Sequence, residues 1–305
     1  MVVVFMKYQK QPFFMPENNI EPILVGLERS ATDDYIFSFL RENGKALTSG
    51  KTHFIHIDHN LSKGDFSREP GKKIIDELNK KVPREIDNFV VHLEPGEPEK
   101  TITYWGAEKN INLIVLGHKN VPQHQVEVSE VVEKPACSLL LVPEIENYKV
   151  KKIAVAIDFS DLSLKALKEG ERLATAMEAS LVAFHCYQVP SGYHKSGKDH
   201  KEFAEVMEDH ARKDAASFLK EGGISHLKVD YVYDDQNNPA ECIENYARNN
   251  AIDFLLMGSH GRTSAASLLM GSVAKKLIKS IYHIPVMIIK AKNENMGLMD
   301  AVKKI

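Results

Sequence analysis

The sequence of 305 residues contains the same series of short apolar segments twice, in the same order. The segment ILVGLERS at 23–30 is matched later in the chain by IAVAIDFS at 153–160. Three further landmarks also recur: a strand-like segment that ends in histidine, an aliphatic segment that ends in glycine and a polar residue, and a final aliphatic segment. They lie at 54–56 and 184–185, at 113–118 and 254–259, and at 138–142 and 285–289. Four landmarks in one order indicate a duplicated domain of about 140 residues.

The boundary between the two copies is expected near Asn147-Tyr148, which gives one domain over 1–147 and a second over 148–305. This division agrees with the usual domain size of about 100–200 residues. The composition is 43% hydrophobic and 27% charged, as in ordinary globular proteins. It therefore argues against a disordered chain, a collagen or a membrane bundle.

Charge and cysteine usage limit the partners and the compartment. The formal net charge of -3 provides no basic field for a polyphosphate backbone, so we expect no nucleic-acid partner. Cys137, Cys186 and Cys242 lie far apart and form no metal-binding or disulfide pattern. The apolar start of the chain is too short for a signal peptide, and no apolar run approaches the ~20 residues of a membrane span. These features predict a cytoplasmic protein without a membrane partner.

The second copy alternates strand-like and helix-like segments. The strand-like segments lie at 153–157, 181–187, 228–233, 253–257 and 286–290, with amphipathic helical patterns between them. Such alternation predicts an α/β fold of two tandem doubly wound domains, each a five-stranded parallel sheet of order 3-2-1-4-5 with helices on both faces. In this order the first and fourth strands are neighbours, and ligands bind at their carboxyl ends. Asp158 ends the first strand and Gly258 ends the fourth.

A glycine-rich segment follows that fourth strand and reads G-x-x-G-x9-G-S, from Gly258 through Gly261 to Gly271 and Ser272. Glycines let backbone N–H groups approach an anion closely, since no Cβ intervenes. The last glycine and Ser272 open a predicted helix, whose N-terminal N–H groups also favour phosphate oxygens. The spacing alone leaves open the alternative of an ordinary βα turn before a helix that begins with Gly-Ser.

Residues 151–290 resemble a universal stress protein domain of the ATP-binding kind. The resemblance rests on the sequences AIDFS at 156–160, MGSHG at 257–261 and MGSV at 270–273, and the glycine pattern is the nucleotide signature of that family. It implies that Asp158 lies near the ribose or a metal-linked phosphate. Mg²⁺ is expected to bridge phosphate oxygens and water, with up to one carboxylate, as hard cations usually do. The phosphate cradle would comprise Gly258, Gly261, Gly271 and Ser272. Adenine and ribose would be enclosed by Ala156, Ile157, Cys186, Met257 and Val273. His260 and Arg262, within the loop, could contact phosphates; packing explains His260 equally well, and it is not predicted to be a catalytic base.

The first half resembles the same family more weakly. Asn120 stands where Gly261 stands in the second half, Glu28 replaces Asp158, and no Gly-Ser pair follows. The longer Glu28 side chain is expected to intrude further into the crevice. The resemblance implies a degenerate domain without ATP binding, although a different ligand stays possible. It also implies an intramolecular pseudo-dimer joined through the last strand of each half, and leaves open whether two chains associate.

Several other motifs give weaker signals. The segment 44–52 looks like a Walker A loop but runs into a strand, whereas a true P-loop opens a helix. His53, His56 and His59 suggest a metal site, but residues i and i+3 of a strand point to opposite faces, so solvated or core histidines are expected. The segment 191–198 is predicted to be a loop that either folds over the nucleotide or is simply exposed.

Three functions remain open from the sequence. The first is a binding and signalling module that holds one ATP and hydrolyses it slowly at most, because no catalytic triad or further cleft base is visible. The second is an ATPase or nucleotidyl transferase on the same scaffold, although the chain lacks H-x-G-H, a K-M-S-K-S-like loop and S-G-G-x-D-S. The third is a nucleotide-free interaction protein, in which the glycines serve only the backbone turn. No catalytic and no metal-ligating residue is predicted.

Overall fold

The computed structural model describes residues 20–48, 50–62, 68–120, 137–261 and 270–290. Helices and strands alternate through both halves of the chain. The N-terminal elements are β1 (Ile23–Leu27), α1 (Thr32–Leu47), β2 (Thr52–Asp58), α2 (Glu69–Lys81), β3 (Phe89–Pro95), α3 (Pro98–Glu108), β4 (Leu113–His118) and β5 (Ser138–Pro143). The C-terminal elements are β6 (Lys152–Ala156), α4 (Asp161–Ala176), β7 (Ser180–Tyr187), a 3₁₀ turn (Tyr193–Ser196), α5 (His200–Gly222), β8 (Val229–Tyr233), α6 (Pro239–Asn249), β9 (Phe254–Gly258), α7 (Ser272–Ile278) and β10 (Val286–Ile289).

The ten described strands form one continuous sheet in the order β3-β2-β1-β4-β5-β10-β9-β6-β7-β8. Each half therefore has the predicted order 3-2-1-4-5, with parallel pairing inside it. The halves join through β5 and β10, which pair antiparallel with Leu140 opposite Met287. The predicted fold class and the pairing of the last strands are confirmed.

Local sequence signals explain where the elements begin and end. The Ser160 side chain caps α4 by accepting from the Ser163 N–H, as expected of an N-cap serine. Helix α5 ends at Gly223, which has a left-handed backbone with φ of 73°. A Cβ on Gly170 would lie 2.7 Å from the Val155 Cγ2, so this glycine allows α4 to pack closely on the sheet. The predicted strand bounds differ from the observed ones by only a residue or so.

The core covers both faces of the sheet and runs through both halves. Alternate residues of one strand face opposite layers: Val155 belongs to one cluster and Ala154 to the other. At the seam, Phe39 of α1 packs edge-on against Phe254 of β9, with ring centroids 6.1 Å apart. The Arg172 guanidinium also crosses the seam and donates to the Ala46 carbonyl at 2.9 Å. The two halves thus share one buried interior.

The weaker motifs have structural explanations. The Walker-like segment ends α1 and enters β2, so it does not open a helix. His53 and His56 are buried in the core, as expected, and the His56 Nδ1 lies 2.9 Å from the Leu27 carbonyl oxygen. Within the described ranges, no group of three His, Cys, Asp or Glu side chains could hold a metal ion. The predicted loop at 191–198 contains the 3₁₀ turn, where Tyr193 packs against His200.

No helix in the described part of the chain has the length and apolar character needed to cross a bilayer.

Candidate functional site

A crevice opens in the C-terminal half between the carboxyl ends of β6 and β9. These strands are neighbours, with Ala156 opposite Met257, so the loops that follow them meet at one edge of the sheet. The described residues enclose a cavity of about 230 Å³. We call this cavity the C-terminal crevice.

Ten of the eleven predicted site residues line the C-terminal crevice, and Arg262 lies outside the described residues. The lining includes Asp158 and the polar or glycine positions Gly258, Gly261, Gly271 and Ser272. It also includes the predicted enclosing residues Ala156, Ile157, Cys186, Met257 and Val273. The structure therefore brings these ten residues together, while their role toward a ligand stays a prediction.

The Asp158 carboxylate is fixed by its own turn. Its Oδ1 accepts from the Ser160 backbone N–H at 3.1 Å and from the Ser160 hydroxyl at 2.6 Å. Between them, Phe159 has a left-handed backbone with φ of 65°. A Cβ on Gly261 would lie 2.4 Å from the other carboxylate oxygen. Asp158 and the glycine loop are therefore in direct contact, and any side chain at 261 has to displace the carboxylate.

The other two glycines of the motif, Gly258 and Gly271, lie close to neighbouring backbone atoms. A Cβ on Gly258 would lie 3.0 Å from the Leu162 Cβ and 3.3 Å from the Ser163 backbone nitrogen. A Cβ on Gly271 would lie 3.1 Å from the Ser259 carbonyl oxygen, which accepts from the Gly271 N–H. Glycine at these positions thus permits both the turn and a bare backbone surface in the crevice.

Sequence reasoning missed one wall of the crevice. Its lining also includes Phe184, Pro239, Ile243 and Ala274. Pro239 and Ile243 come from α6, which begins at Pro239. No spacing signal joins them to the glycine loop, because α6 reaches the crevice only through its packing on the sheet.

Two histidines also line the crevice. The His185 Nδ1 lies 2.7 Å from the Ile157 carbonyl oxygen, and the ring packs beside Phe159 with centroids 4.4 Å apart. The His260 Nδ1 lies 3.2 Å from the Ser259 hydroxyl. The carbonyl oxygen can only accept, so His185 carries its proton on Nδ1.

Cys186 provides a neutral wall rather than a nucleophile. Its hydrogen bond with Cys242 and its burial raise the pKa of the Cys186 thiol far above the usual range. A reactive cysteine requires the thiolate, which this environment disfavours. Cys186 therefore contributes shape to the crevice.

Comparison with known proteins identifies the C-terminal half. Residues 149–290 match the family model described as the universal stress protein family. Universal stress protein MJ0531 of Methanocaldococcus jannaschii is 28% identical over 144 residues, which are 46% of this chain and 82% of that protein. Universal stress protein YxiE of Bacillus subtilis is 25% identical over 147 residues, 46% of this chain and 98% of that protein.

Solved structures resemble this chain in fold over both of its halves. A universal stress protein from Archaeoglobus fulgidus is similar with a TM-score of 0.63 at 17% identity, covering 89% of this chain and 97% of that one. Protein PA1789 of Pseudomonas aeruginosa, described as functionally unknown, has a TM-score of 0.66 at 14% identity, covering 94% of this chain and 99% of that one. The structure thus defines a doubly wound α/β protein with a crevice at the switch point of each half of its sheet. Within it, residues 149–290 match the universal stress protein family model.

Proposed function

We propose that this chain is a cytoplasmic tandem universal stress protein that binds ATP, with Mg²⁺, in its C-terminal domain and acts as a stress-response signalling module. In this proposal 148–305 is the ATP-binding domain and 1–147 is a degenerate copy that binds no ATP. The three cysteines are free thiols, as is usual in a reducing compartment.

The observation that carries the proposal is the contact of the glycine loop with Asp158. Gly258, Gly261 and Gly271 lie so close to neighbouring atoms that a Cβ at each would meet them at 2.4 to 3.1 Å. Such bare backbone beside a strand end fits a phosphate group, which requires N–H donors and close approach. The residues present therefore fit a nucleotide, and the Ser272 hydroxyl adds a donor.

The size of the crevice suggests which part of the nucleotide it encloses and which part extends outside it. The described residues enclose about 230 Å³, less than the ~300–1,000 Å³ of common ligand pockets. We therefore assign the enclosed part to adenine and ribose, against Ile157, Cys186, Met257 and Val273. The triphosphate would then extend outward past Gly261.

Asp158 is the carboxylate that lines this crevice among the described residues. Mg²⁺ would therefore be held chiefly by phosphate oxygens and water, with Asp158 as its nearest carboxylate, as hard cations permit. Because Ser160 occupies one Asp158 oxygen, the carboxylate is poorly placed to activate a water. We therefore propose at most slow hydrolysis.

Calorimetric titration with ATP and Mg²⁺ tests the proposal, using nucleotide-stripped full-length protein and the variants Gly261→Val and Asn120→Val. The expected result is one site per chain that is lost in Gly261→Val and kept in Asn120→Val, which changes the corresponding N-terminal position. Absence of binding to the wild type would contradict ATP binding and favour an interaction protein. Release of ADP well above about one turnover per second would make the chain an enzyme.

A further inference from the structure

The N-terminal half holds a second and larger cavity at the corresponding place. It opens between the carboxyl ends of β1 and β4 and has a volume of about 650 Å³. We call it the N-terminal crevice. Its volume falls within the ~300–1,000 Å³ range of small-molecule sites.

The two crevices are built on the same backbone frame. In each, a histidine at the end of the second strand donates from Nδ1 to the first strand: His56 to the Leu27 carbonyl and His185 to the Ile157 carbonyl. In each, a proline opens the helix that forms the side wall, Pro98 in one half and Pro239 in the other. The N-terminal crevice is therefore a retained cavity.

At the end of β1, in the part of this crevice that corresponds to the phosphate side, the described polar groups are paired with one another. The Lys119 ammonium forms an ion pair with Glu28 at 2.7 Å, so Glu28 turns toward Lys119. The Asp33 carboxylate accepts from the backbone N–H groups of Glu28 and Arg29, each at 2.9 Å. Donors that could meet a phosphate at the end of β1 are thus already used by the protein.

The charge of the lining also opposes an anion. Four carboxylates line the N-terminal crevice, against two ammonium groups: that of Lys100 in the lining and that of Lys119, which neutralises Glu28. The carboxylates are Glu28, Asp33, Glu97 and Glu99. By contrast, Asp158 is the carboxylate that lines the C-terminal crevice among the described residues. The field in the N-terminal crevice therefore favours positive charge.

A buried histidine provides independent evidence for a hydrogen-bond donor in the ligand. His56 lines the cavity and is only 7% exposed. Its Nδ1 must carry the proton, because the Leu27 carbonyl oxygen can only accept. In the neutral ring Nε2 is then a hydrogen-bond acceptor, and the described residues supply no donor to it. Ile57, Ile102 and Leu116 provide an apolar wall beside it.

We propose that the N-terminal crevice binds a small organic cation, namely an amine with an apolar or aromatic body and no phosphate group. The body lies against the isoleucine and leucine wall, and the ammonium faces the Glu97–Glu99 rim and His56. This proposal does not depend on ATP binding in the other half.

Three indole ligands of nearly equal shape test the sign of the charge: tryptamine, tryptophol and indole-3-acetate, which are positive, neutral and negative. Their binding to the full-length protein is measured by calorimetry, with and without saturating ATP. We expect tryptamine to bind roughly tenfold or more tightly than indole-3-acetate, with tryptophol between them. Equal affinities, or no binding of tryptamine, would overturn the proposal.

Two variants locate the binding. Glu97→Gln with Glu99→Gln removes charge from the rim and should weaken tryptamine binding several-fold while leaving tryptophol nearly unchanged. Glu108→Gln, at the other end of α3 and outside the lining, is the matched control and should change neither. Loss of tryptamine binding in Gly261→Val, or upon addition of ATP, would place the amine in the C-terminal crevice and reject this site. Failure of ATP to bind would leave the amine result standing.

Discussion

Both halves of the sheet hold a crevice between their first and fourth strands, yet the two differ at the positions that would meet a ligand. In the C-terminal crevice Gly261 lies against Asp158, and the backbone is bare. In the N-terminal crevice the sequence has Asn120 at the corresponding position, and Lys119 neutralises Glu28. The strand frame therefore determines where a ligand can lie, while a few loop residues determine which ligand charge the crevice favours.

The largest predicted effect concerns a buried arginine at the seam between the two halves. Arg172 forms a buried ion pair with Glu169 at 2.6 Å and donates across the seam to the Ala46 carbonyl. Arg172→Met would leave Glu169 buried and unpaired. We expect the free energy of unfolding to fall by about 3–5 kcal/mol in denaturant titrations.

Burial raises the pKa of Glu169, so its carboxyl can become neutral once Arg172 is removed. The loss should consequently be smaller in mildly acidic than in mildly basic buffer. The control is Arg212→Met, which removes an exposed partner of Glu208 and should cost less than about 1 kcal/mol. Equal losses for both variants would show that the seam contributes little.

Exchange of one residue between the crevices is the second prediction. Gly261→Asn places the N-terminal residue type against the Asp158 carboxylate, where even a Cβ lies at 2.4 Å. We expect ATP affinity to fall by about a hundredfold, or about 2.7 kcal/mol, in calorimetry. The reverse change, Asn120→Gly, should not create ATP binding, because the Lys119–Glu28 pair and the N–H bonds to Asp33 remain. A gain of ATP binding in the N-terminal crevice would contradict the assignment of ATP exclusion to these contacts.

The third prediction concerns the walls behind the crevices. Behind the N-terminal one, the His53 Nδ1 lies 2.9 Å from the His92 Nε2, and His92 packs on Trp105. At the matching place in the other half, the Tyr246 hydroxyl donates to Asp230 at 2.7 Å. Burial above all, together with His53 and nearby lysines, lowers the pKa of His92 to about 4.

A histidine whose pKa is lowered in the folded state is neutral there but takes up a proton in the unfolded chain below about 6.5. The stability of the N-terminal half should therefore be full above that pH and fall progressively as the pH drops toward about 4. Trp105 is the only tryptophan, so its fluorescence reports this region. His92→Gln should reduce this part of the pH dependence, and an unchanged profile would contradict the assignment.

Much of this architecture could be predicted from the sequence, because strand order follows from repeated apolar segments and from alternation with helices. The C-terminal crevice could be predicted because its glycines, Asp158 and Ser272 follow strand ends directly. The N-terminal crevice could not, since its character depends on contacts between distant segments. Glu28 meets Lys119, and His56 meets Leu27, only after the sheet has formed. Likewise, nothing in its spacing links Ile243 to the glycine loop.

The smallest predicted effect concerns the N-terminal capping of the first helix in each half, α4 and α1. Ser160 caps α4 by accepting from the Ser163 N–H and also donates to Asp158. In the other half, Ala31 occupies the N-cap of α1, and Ser30 accepts instead from the Thr32 N–H at 3.2 Å. Ser160→Ala should thus lower the free energy of unfolding by about 1 kcal/mol, and Ser30→Ala by less.

The two serine variants should also differ in binding. Ser160→Ala removes the hydroxyl bond to Asp158 and leaves only the longer bond from the backbone N–H of residue 160. The carboxylate is then held less firmly beside Gly261, so ATP affinity should fall a few-fold in calorimetry. Ser30→Ala should leave ATP affinity as it is, because its nearest carboxylate, Glu28, is held by Lys119 in the other crevice. If both variants changed ATP affinity alike, the effect would arise from general destabilisation. The result would then contradict the proposed role of the Asp158 carboxylate in ATP binding.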